Sequence, residues 1–512
     1  MIKEIQLQLS PSEAATETEI REAVINSLSI KRSTPLHYEI LKRSIDARGR
    51  QVKILLKIRV FIDEAVLPLH TIHFQEMDVS GRAEVHIIGA GPAGLFCALQ
   101  CIELGYKPVI FERGKNVRDR RRDLAKLNRD GILNEESNYC FGEGGAGTYS
   151  DGKLYTRSNK RGNVQRVLDL FHFFGADASI LYEAHPHIGT NKLPQIIEAM
   201  RAKIIACGGQ IHFNSKLTGL ETNGERIISI TINGNEKIDV KKLVLATGHS
   251  ANDIYELLFV NKILIESKPF ALGVRIEHPQ VLIDQVQYHC EVRDPALPPA
   301  SYSLVEQVQD RGVFSFCMCP GGIIAPASTK ENTIVVNGWS PSKRNNPFAN
   351  SGIVVSVNEK DYRDDTPLAG LAYQYDVERK AFEAGGGKFV APAQRMVDFV
   401  NDISSSTLPF CSYVPGLNAT RLSGVLPEDI YACLAKAFQQ FGKKMRGYYT
   451  NEAVVVATES RTSSPVRIPR DKDTLQHIQI SNLYPCAEGA GYAGGIVSAA
   501  MDGMKVAERL EM

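Results

Sequence analysis

The sequence predicts an α/β protein in which a domain built around a parallel sheet is interrupted by a β-rich domain and preceded by a small α+β domain. Three observations predict this arrangement. First, a glycine-rich turn at residues 89–94 lies between an apolar strand and a segment of helical periodicity. Second, apolar strands, Gly-rich turns and helical segments alternate from Ala83 onward, as in α/β proteins. Third, this α/β pattern returns near the C-terminus after many strand-like runs. The 512 residues leave room for two or three domains.

Residues 1–80 are the first predicted domain. Ile2 to Leu9 alternates like a strand, Glu17 to Leu28 has helical periodicity, and Leu36 to Ala47 and Gln51 to Ile62 are two further predicted strands. Its basic residues are Lys42, Arg43, Arg48, Arg50 and Lys53. A solvated sheet face explains these residues better than contact with RNA or a protein partner, which stays as the alternative.

The strongest signal is the run Val85–Gly94, followed by helical periodicity from Leu95. In such a strand–turn–helix unit Gly89 permits the tight turn, Gly91 lets the backbone approach a pyrophosphate, and Gly94 lets helix and strand pack closely. The pyrophosphate then lies at the helix N-terminus, where free N–H groups and the positive end of the helix dipole meet its charge. The sequence therefore predicts a Rossmann-type dinucleotide site.

An acidic residue supports this interpretation. The apolar strand Lys107 to Phe111 ends in Glu112, which follows Gly91 by about 20 residues and is suited to accept hydrogen bonds from both ribose hydroxyls. A carboxylate at this position disfavours a 2′-phosphate on the ribose.

The dinucleotide domain is predicted in two parts, residues 81–264 and residues 425–512. Between them, residues 265–424 are rich in strand-like runs and in Pro and Gly, and we assign this stretch to the substrate domain.

Composition excludes several classes of protein. Lys and Arg total 59 against 58 Asp and Glu, which argues against a nucleic-acid binder of the usual basic kind. The N-terminus does not have the pattern of a signal peptide, and no run approaches the ~18 apolar residues of a membrane span, so a cytoplasmic location is expected. The ten cysteines are scattered and predict reduced thiols, with Cys317 and Cys319 expected on opposite faces of a strand.

Two later runs resemble motifs of the flavoproteins of the glutathione reductase type, in which the first glycine turn holds the ADP half of FAD. They are Leu243–Gly248 and Leu483–Gly491. Glu488 stands where that family usually has an aspartate beside the ribityl chain, so the acceptor oxygens are kept on a side chain one methylene longer. After it, Gly494–Gly495 opens a helix to Leu510, whose N-terminus would point at the pyrimidine edge of the flavin.

Three blocks, Phe141–Leu154, His187–Thr190 and Arg461–Arg467, resemble a family of predicted FAD-dependent dehydrogenases, and the likeness runs from about residue 83 to the end. The resemblance implies FAD as the cofactor. The glycine block suits close packing of backbone N–H groups against phosphate or isoalloxazine, with a flexible loop as the alternative. The residues predicted to bind the cofactor are Gly89, Ala90, Gly91, Pro92, Ala93, Gly94, Glu112, Arg113, Gly144, Gly145, Ala146, Gly147, Thr148, Thr247, Gly248, Glu488, Gly489 and Gly491.

Three side chains are candidates for catalysis. His249 directly follows the Ala-Thr-Gly turn, although a hydrogen bond to loop backbone is an alternative role for it. Lys153 and Arg461 suit an anionic substrate or the N1–C2 carbonyl edge of the flavin, with surface or salt-bridge roles as the alternatives. His185 and His187 have no third ligand in the sequence, so no metal site is predicted.

These motifs predict an FAD-dependent oxidoreductase, a dehydrogenase or reductase that acts on a small molecule by flavin-mediated hydride transfer. One alternative is an FAD-dependent isomerase without net redox chemistry, and another is a flavoprotein whose N-terminal domain contacts RNA or protein. No second strand–GxGxxG–helix unit follows residue 150, so electrons are expected from the substrate or from a partner protein rather than from NAD(P)H.

Overall fold

A computed structural model describes residues 1–64, 72–156, 162–362 and 364–510. Its strands, in chain order, are β1 Ile2–Leu9, β2 Leu36–Asp46, β3 Lys53–Ile62, β4 Glu84–Ile88, β5 Lys107–Phe111, β6 Gln210–His212, β7 Leu217–Thr222, β8 Ile227–Ile232, β9 Glu236–Asp239, β10 Leu243–Leu245, β11 Glu266–Ser267, β12 Phe270–Pro279, β13 Val305–Val308, β14 Arg311–Cys319, β15 Ile323–Pro326, β16 Val336–Trp339, β17 Phe348–Val357, β18 Ala391–Arg395, β19 Leu417–Ala419, β20 Val454–Glu459, β21 Val466–Arg467 and β22 Leu483–Pro485. Its helices are α1 Glu17–Leu28, α2 Pro92–Glu103, α3 Val117–Asp130, α4 Val164–Phe173, α5 Leu193–Ala206, α6 Asn252–Val260, α7 Gln280–Tyr288, α8 Ala369–Gly385, α9 Met396–Val400, α10 Glu428–Lys444 and α11 Ile496–Glu508. Within the described ranges, no helix has both the length and the apolar character needed to cross a bilayer.

The N-terminal unit is an antiparallel sheet of order β1-β3-β2 with helix α1. Its predicted elements are confirmed, and β1 and α1 have the predicted bounds. Strand β3 alternates as its sequence requires, so that Ile54, Leu56, Ile58 and Val60 are buried. Arg43 of β2 attaches this sheet to the next domain, because its N–H donates to the carbonyl of Tyr182 and its guanidinium pairs with Glu183 at 2.8 Å.

A five-stranded parallel sheet of order β22-β10-β4-β5-β6 forms the centre of the second unit. Its strands are short and apolar, as expected for a parallel sheet that is covered by helices. Strand β4 leads through the glycine turn into α2 and then into the neighbouring parallel strand β5, which is the predicted βαβ order. The parallel sheet confirms the predicted α/β class. Strands β7, β8 and β9, which follow β6 and precede β10 in the chain, form a separate antiparallel sheet.

The third unit is a seven-stranded sheet of order β13-β14-β17-β12-β20-β18-β19. Its neighbours are antiparallel except for β18 and β19, which are parallel. Nine of the ten residues of β12 are buried, which marks β12 as a central strand. Strands β15 and β16 form a two-stranded antiparallel sheet beside it.

This sheet extends beyond the predicted boundary at residue 424. Helix α10 packs on it, and β20 lies within it between β12 and β18. The boundary was predicted from local composition and periodicity, and these do not show which strands pair when the strands are far apart in sequence.

Helices α2 and α11 pack against each other, and Gly503 of α11 lies close to the backbone of α2. A Cβ atom built on Gly503 would lie 2.1 Å from the carbonyl oxygen of Ala93, so a side chain there would force the helices apart. We predict that Gly503→Val lowers the free energy of unfolding by roughly 2 kcal/mol or more, measured by urea unfolding.

Gly81→Val is the matched control, because a Cβ atom at Gly81 has no heavy atom within 4 Å. Its effect should stay within about 0.5 kcal/mol. Equal stability of the two variants would show that the close helix packing at Gly503 does not contribute.

Candidate functional site

The glycine turn after β4 requires glycine at two of its three predicted positions. Gly89 has φ +104°, and a Cβ atom there would lie 2.5 Å from the carbonyl oxygen of Ala246. A Cβ atom on Gly94 would lie 1.9 Å from the carbonyl oxygen of Gly89, so helix and turn pack backbone to backbone.

Gly91 is different, because a Cβ atom there would not clash with its surroundings. It precedes the first residue of α2, no side chain caps the N-terminus of that helix, and a Cβ atom on Gly91 would lie 3.8 Å from Gly145 Cα, an ordinary van der Waals distance. The turn therefore offers an anion the N-terminal end of a helix and a backbone without a side chain in the way.

The carboxylate of Glu112 is buried against the same turn. Its oxygens accept hydrogen bonds from the backbone N–H groups of Ala90 at 2.8 Å and of Gly114 and Gly142 at 2.9 Å. A carboxylate has about four acceptor positions, so three are used inside the protein and about one is left for a ribose hydroxyl. The predicted ribose contact stays a prediction.

Arg113, which was also predicted to bind the cofactor, has its guanidinium in two ion pairs. It pairs with Glu136 at 2.6 Å and with Asp253 at 2.8 Å, and it lies 4.2 Å from the centroid of the Phe141 ring. In this arrangement the side chain holds α6 and the loop before the glycine block together.

The glycine block lies directly on the first turn. The N–H of Gly144 donates to the carbonyl of Ala90 at 2.8 Å, and a Cβ atom on Gly145 would lie 3.1 Å from Gly91 Cα. Gly145–Gly147 form a single 3-10 turn. The hydroxyl of Thr148 donates back to the carbonyl of Glu143, so that side chain supports the block from inside.

Arg120 of α3 holds this block in shape. Its guanidinium is fully buried and donates to the carbonyl oxygens of five residues of the loop, Asn138, Tyr139, Gly142, Glu143 and Gly145, at 2.8 to 3.2 Å. Sequence reasoning missed Arg120, because it stands in a run of charged residues on an amphipathic helix and nothing local distinguishes it.

The block is also fixed to α3 and α5 by Glu143. Its carboxylate accepts from the N–H of Val117 at 2.9 Å and from Arg201 at 2.8 Å. Burial raises the pKa of Glu143 to about 7, and the two donors oppose this shift.

The two runs that resemble flavoprotein motifs, Leu243–Gly248 and Leu483–Gly491, contact each other. A Cβ atom on Gly489 would lie 2.6 Å from the carbonyl oxygen of Gly248, and Tyr255 of α6 donates its hydroxyl to the carbonyl of Gly489 at 2.7 Å. Glu488 faces His249, with 3.3 Å between its Oε2 and the histidine Nδ1. Glu488 also lines an open depression with Gly491, Gly494 and Ser498 at the N-terminus of α11, and Lys268 borders it.

The other two catalytic candidates already have partners within the protein. Lys153 donates from its Nζ to the carbonyl of Met318 and lies 3.9 Å from Asp151, whose carboxylate is bound by Arg344. Arg461 is buried, and its Nε and Nη2 each donate at 2.9 Å to one carboxylate oxygen of Glu378.

A cavity lies between the glycine block and the seven-stranded sheet. Its empty volume is about 500 Å³ with its opening to solvent included. Side chains from both units line it, among them Tyr149, His249, Trp339, Glu459 and Arg461. His249 and Arg461 were predicted site residues, and the structure brings them to one cavity.

Glu459, which the sequence did not indicate, is buried at this cavity and pairs with Arg275. The distance between Glu459 Oε2 and Arg275 Nη1 is 2.6 Å, and the side chain of Arg275 is entirely buried. Burial raises the pKa of Glu459 to about 7, whereas the Arg275 guanidinium opposes the shift. The end of the cavity is therefore poorly solvated.

The cysteine pair and one of the histidines considered for metal binding contact the protein backbone. Cys317 and Cys319 do not simply alternate across a strand: the pairing of β14 with β17 shifts after Phe316, Cys317 has φ +45°, and the Cys319 thiol donates to the Cys317 carbonyl at 3.2 Å. His187 contacts the carbonyl of Ser342 at 3.1 Å. Among the residues that the structure describes, no group of three His, Cys, Asp or Glu side chains is placed to hold a metal ion.

Solved structures resemble the chain only loosely. They include CtdE in complex with FAD (11% identity, 83% of this chain and 84% of that chain, TM-score 0.31). They also include the flavin-dependent brominase Bmp2 (12%, 83% and 78%, TM-score 0.34) and the halogenase PltM (10%, 83% and 68%, TM-score 0.35).

Closer similarity comes from sequence. Residues 269–462 match the family described as "FAD-dependent protein, C-terminal domain-like", and residues 1–61 match a domain of unknown function. The first match ends just after β20, in agreement with the extent of the seven-stranded sheet. A protein of Clostridium beijerinckii with the name "Uncharacterized protein" is 40% identical over 510 residues, which cover 96% of this chain and 95% of that protein. The chain therefore belongs to the same family as the clostridial protein, its residues 269–462 match the FAD-dependent domain family, and FAD is its cofactor.

Proposed function

We propose that the protein is an FAD-dependent oxidoreductase that moves a hydride between a small organic substrate and the flavin, with the substrate held in the cavity beside Glu459. One observation carries the proposal. The cavity is lined on one side by Ala146 and His249, which belong to or adjoin predicted cofactor segments, and on the other by Trp339 and Glu459 of the FAD-dependent family domain. FAD, when bound, supplies the hydride chemistry, and the protein supplies binding, orientation and charge.

The residues at the first turn fit the cofactor. Gly91 leaves space for a pyrophosphate at the N-terminus of α2, and a side chain at that position would fill it. Gly144–Gly147 add a second glycine segment against Gly91, and Glu112 organises the backbone N–H groups around both. Further along, the depression beside Glu488 at the N-terminus of α11 suits the flavin end, because a helix N-terminus favours negative charge.

Part of the positive charge of the N-terminal unit is already paired within the protein, which weighs against the RNA-binding alternative. Of the five basic residues that suggested it, Arg43 pairs with Glu183 and Arg48 with Asp46, whereas the structure, over the residues it describes, shows no ion pair for the other three. Lys57 and Arg59 of the same sheet both pair with Glu4 at 2.7 Å. Proteins gain most of their affinity for nucleic acid when their cations neutralise phosphates and release the counterions bound there. Cations that are already paired within the protein release few of these counterions.

The first prediction tests the cofactor site. Purified protein should release FAD and not FMN on denaturation, and Gly91→Val should lower its FAD content by roughly tenfold or more while the protein stays folded, because the added side chain meets cofactor space rather than packed protein. Absorbance of the bound flavin and chromatography of the released cofactor measure both outcomes.

Gly81→Val, the same change in open space, should keep the wild-type FAD content. Retention of FAD by the Gly91→Val protein would show that this turn does not hold the pyrophosphate.

The second prediction tests redox chemistry. Anaerobic addition of the right substrate should bleach the flavin with stoichiometric formation of oxidised product, and a screen of small metabolites by absorbance identifies it. A substrate that is converted to an isomer, with no net oxidation and without lasting bleaching, would favour the non-redox alternative and would contradict the proposal.

The third prediction concerns the reductant. A dedicated NAD(P)H domain normally provides its own glycine turn and helix N-terminus, and the sequence after residue 150 has no such strand–GxGxxG–helix unit. NADH and NADPH should therefore reduce the flavin slowly and without saturation in anaerobic stopped-flow mixing. Fast reduction that saturates at micromolar nicotinamide would contradict this and would require a separate nicotinamide site.

A further inference from the structure

The cavity beside Glu459 is lined by charged side chains, and each of them already has a partner of opposite charge. Arg461 is the clearest case. Its guanidinium makes a two-point contact with Glu378, and its Nη1 donates to the hydroxyl of Thr329 at 2.6 Å. All of these contacts are buried, so the positive charge of Arg461 is compensated before any ligand enters.

The same holds at the other charged positions of the lining. Glu459 is bound by Arg275, whose remaining N–H groups donate to Asn350 Oδ1 at 2.8 Å and to the carbonyl of Cys317 at 2.7 Å. The Nδ1 atom of His249 lies 3.3 Å from Oε2 of Glu488. A charged ligand in this cavity would have to compete with these pairs, and separating a buried ion pair leaves one charge uncompensated in a poorly solvated site.

The rest of the lining is mostly aromatic and apolar, with Cys140, Ser150 and Asn337 as its polar members. Tyr139, Tyr149 and Trp339 contribute rings, and Ala327, Val335 and Val336 contribute aliphatic surface. The rings of Tyr139 and Tyr149 are in an edge-to-face arrangement with their centroids 6.3 Å apart. Their hydroxyls are also in use, since Tyr139 accepts from Asn128 and Tyr149 donates to the carbonyl of Val117, each at 2.9 Å.

We propose that the cavity binds an uncharged aromatic molecule, and that this is the substrate class of the oxidoreductase proposed above, on which this inference rests. Aromatic rings of a ligand pack well against the rings and aliphatic side chains of the lining. Among the described residues that line the cavity, the charged side chains are already in ion pairs, and none is left to neutralise a carboxylate, a phosphate or an ammonium group. The substrate is therefore neutral, in contrast to the anionic substrate that Lys153 and Arg461 suggested in the sequence.

The fluorescence of one side chain can report ligand binding in the cavity. Trp339 is the single tryptophan among the 512 residues, and it lines the cavity, so tryptophan emission reports on this site alone. The FAD-loaded protein is titrated at neutral pH with three compounds of nearly equal size, which are neutral benzyl alcohol, anionic benzoate and cationic benzylamine. Benzyl alcohol should change the emission saturably with a Kd roughly tenfold or more below those of the charged compounds. Equal or tighter binding of benzoate or benzylamine, or no saturable change with any of the three, would overturn the proposal.

A charge-unpairing variant tests the cause of this selectivity. Glu378→Gln keeps the shape and the acceptor oxygen of the side chain but removes the charge that compensates Arg461, so benzoate should gain affinity by roughly tenfold relative to benzyl alcohol. Glu383→Gln, on the same helix but in an exposed pair with Arg379, is the matched control and should leave the ratio unchanged. If Glu378→Gln does not fold, the selectivity of the wild-type protein still decides the proposal.

The FAD-free protein separates this inference from the proposed function. If the neutral compound binds only when FAD has been removed, the cavity belongs to the flavin ring and the inference is wrong. If it binds the FAD-loaded protein but no neutral aromatic compound bleaches the flavin anaerobically, the ligand class stands and the proposed hydride transfer fails.

Discussion

The structure around the site depends on how two buried charges hold one loop. Loop 138–148 has only a single 3-10 turn, so most of its backbone polar groups lack the partners that a helix or sheet would provide. Arg120 satisfies five of its carbonyl oxygens, and Glu112 binds the N–H of Gly142 together with that of Ala90 in the first turn. One cation and one anion thus fix the two glycine segments against each other. Because the glycine block also borders the cavity, the same contacts shape one wall of the cavity.

How much the sequence could predict follows from the range of each interaction. The turn at Gly89–Gly94 and the elements β1, α1, β4 and α2 were predictable, since short-range periodicity and glycine spacing define them. The pairs that shape the cavity were not. Arg275 meets Glu459, which is 184 positions away in sequence, and Glu378 meets Arg461 across 83 positions. No local pattern distinguishes such residues from ordinary surface charges.

The same limit explains why the sequence leaves two roles open for Lys153 and Arg461, contact with an anionic substrate or the flavin edge on one side and a salt bridge on the other. A lysine or an arginine near a cofactor motif indicates a ligand charge only if its own charge is uncompensated, and sequence does not show compensation. Arg461 is bound by Glu378, and Lys153 lies near Asp151 and donates to a backbone carbonyl. A buried cation that is already paired with a carboxylate does not attract an anionic ligand, because the ligand would have to displace that carboxylate from the pair.

Several contacts join the two large units beside the cavity. The inserted domain is entered just after β11, Glu266–Ser267, and left just before β21, Val466–Arg467, and these two short strands pair antiparallel. Entry and exit are therefore held side by side at the edge of the cofactor domain. Lys153 adds a second link, because it reaches from the segment after the glycine block to the carbonyl of Met318 in β14. The paired strands and this hydrogen bond join the walls of the cavity, so the charge pairs and aromatic rings of the lining are in place without a ligand, which is the arrangement that the proposed selectivity requires.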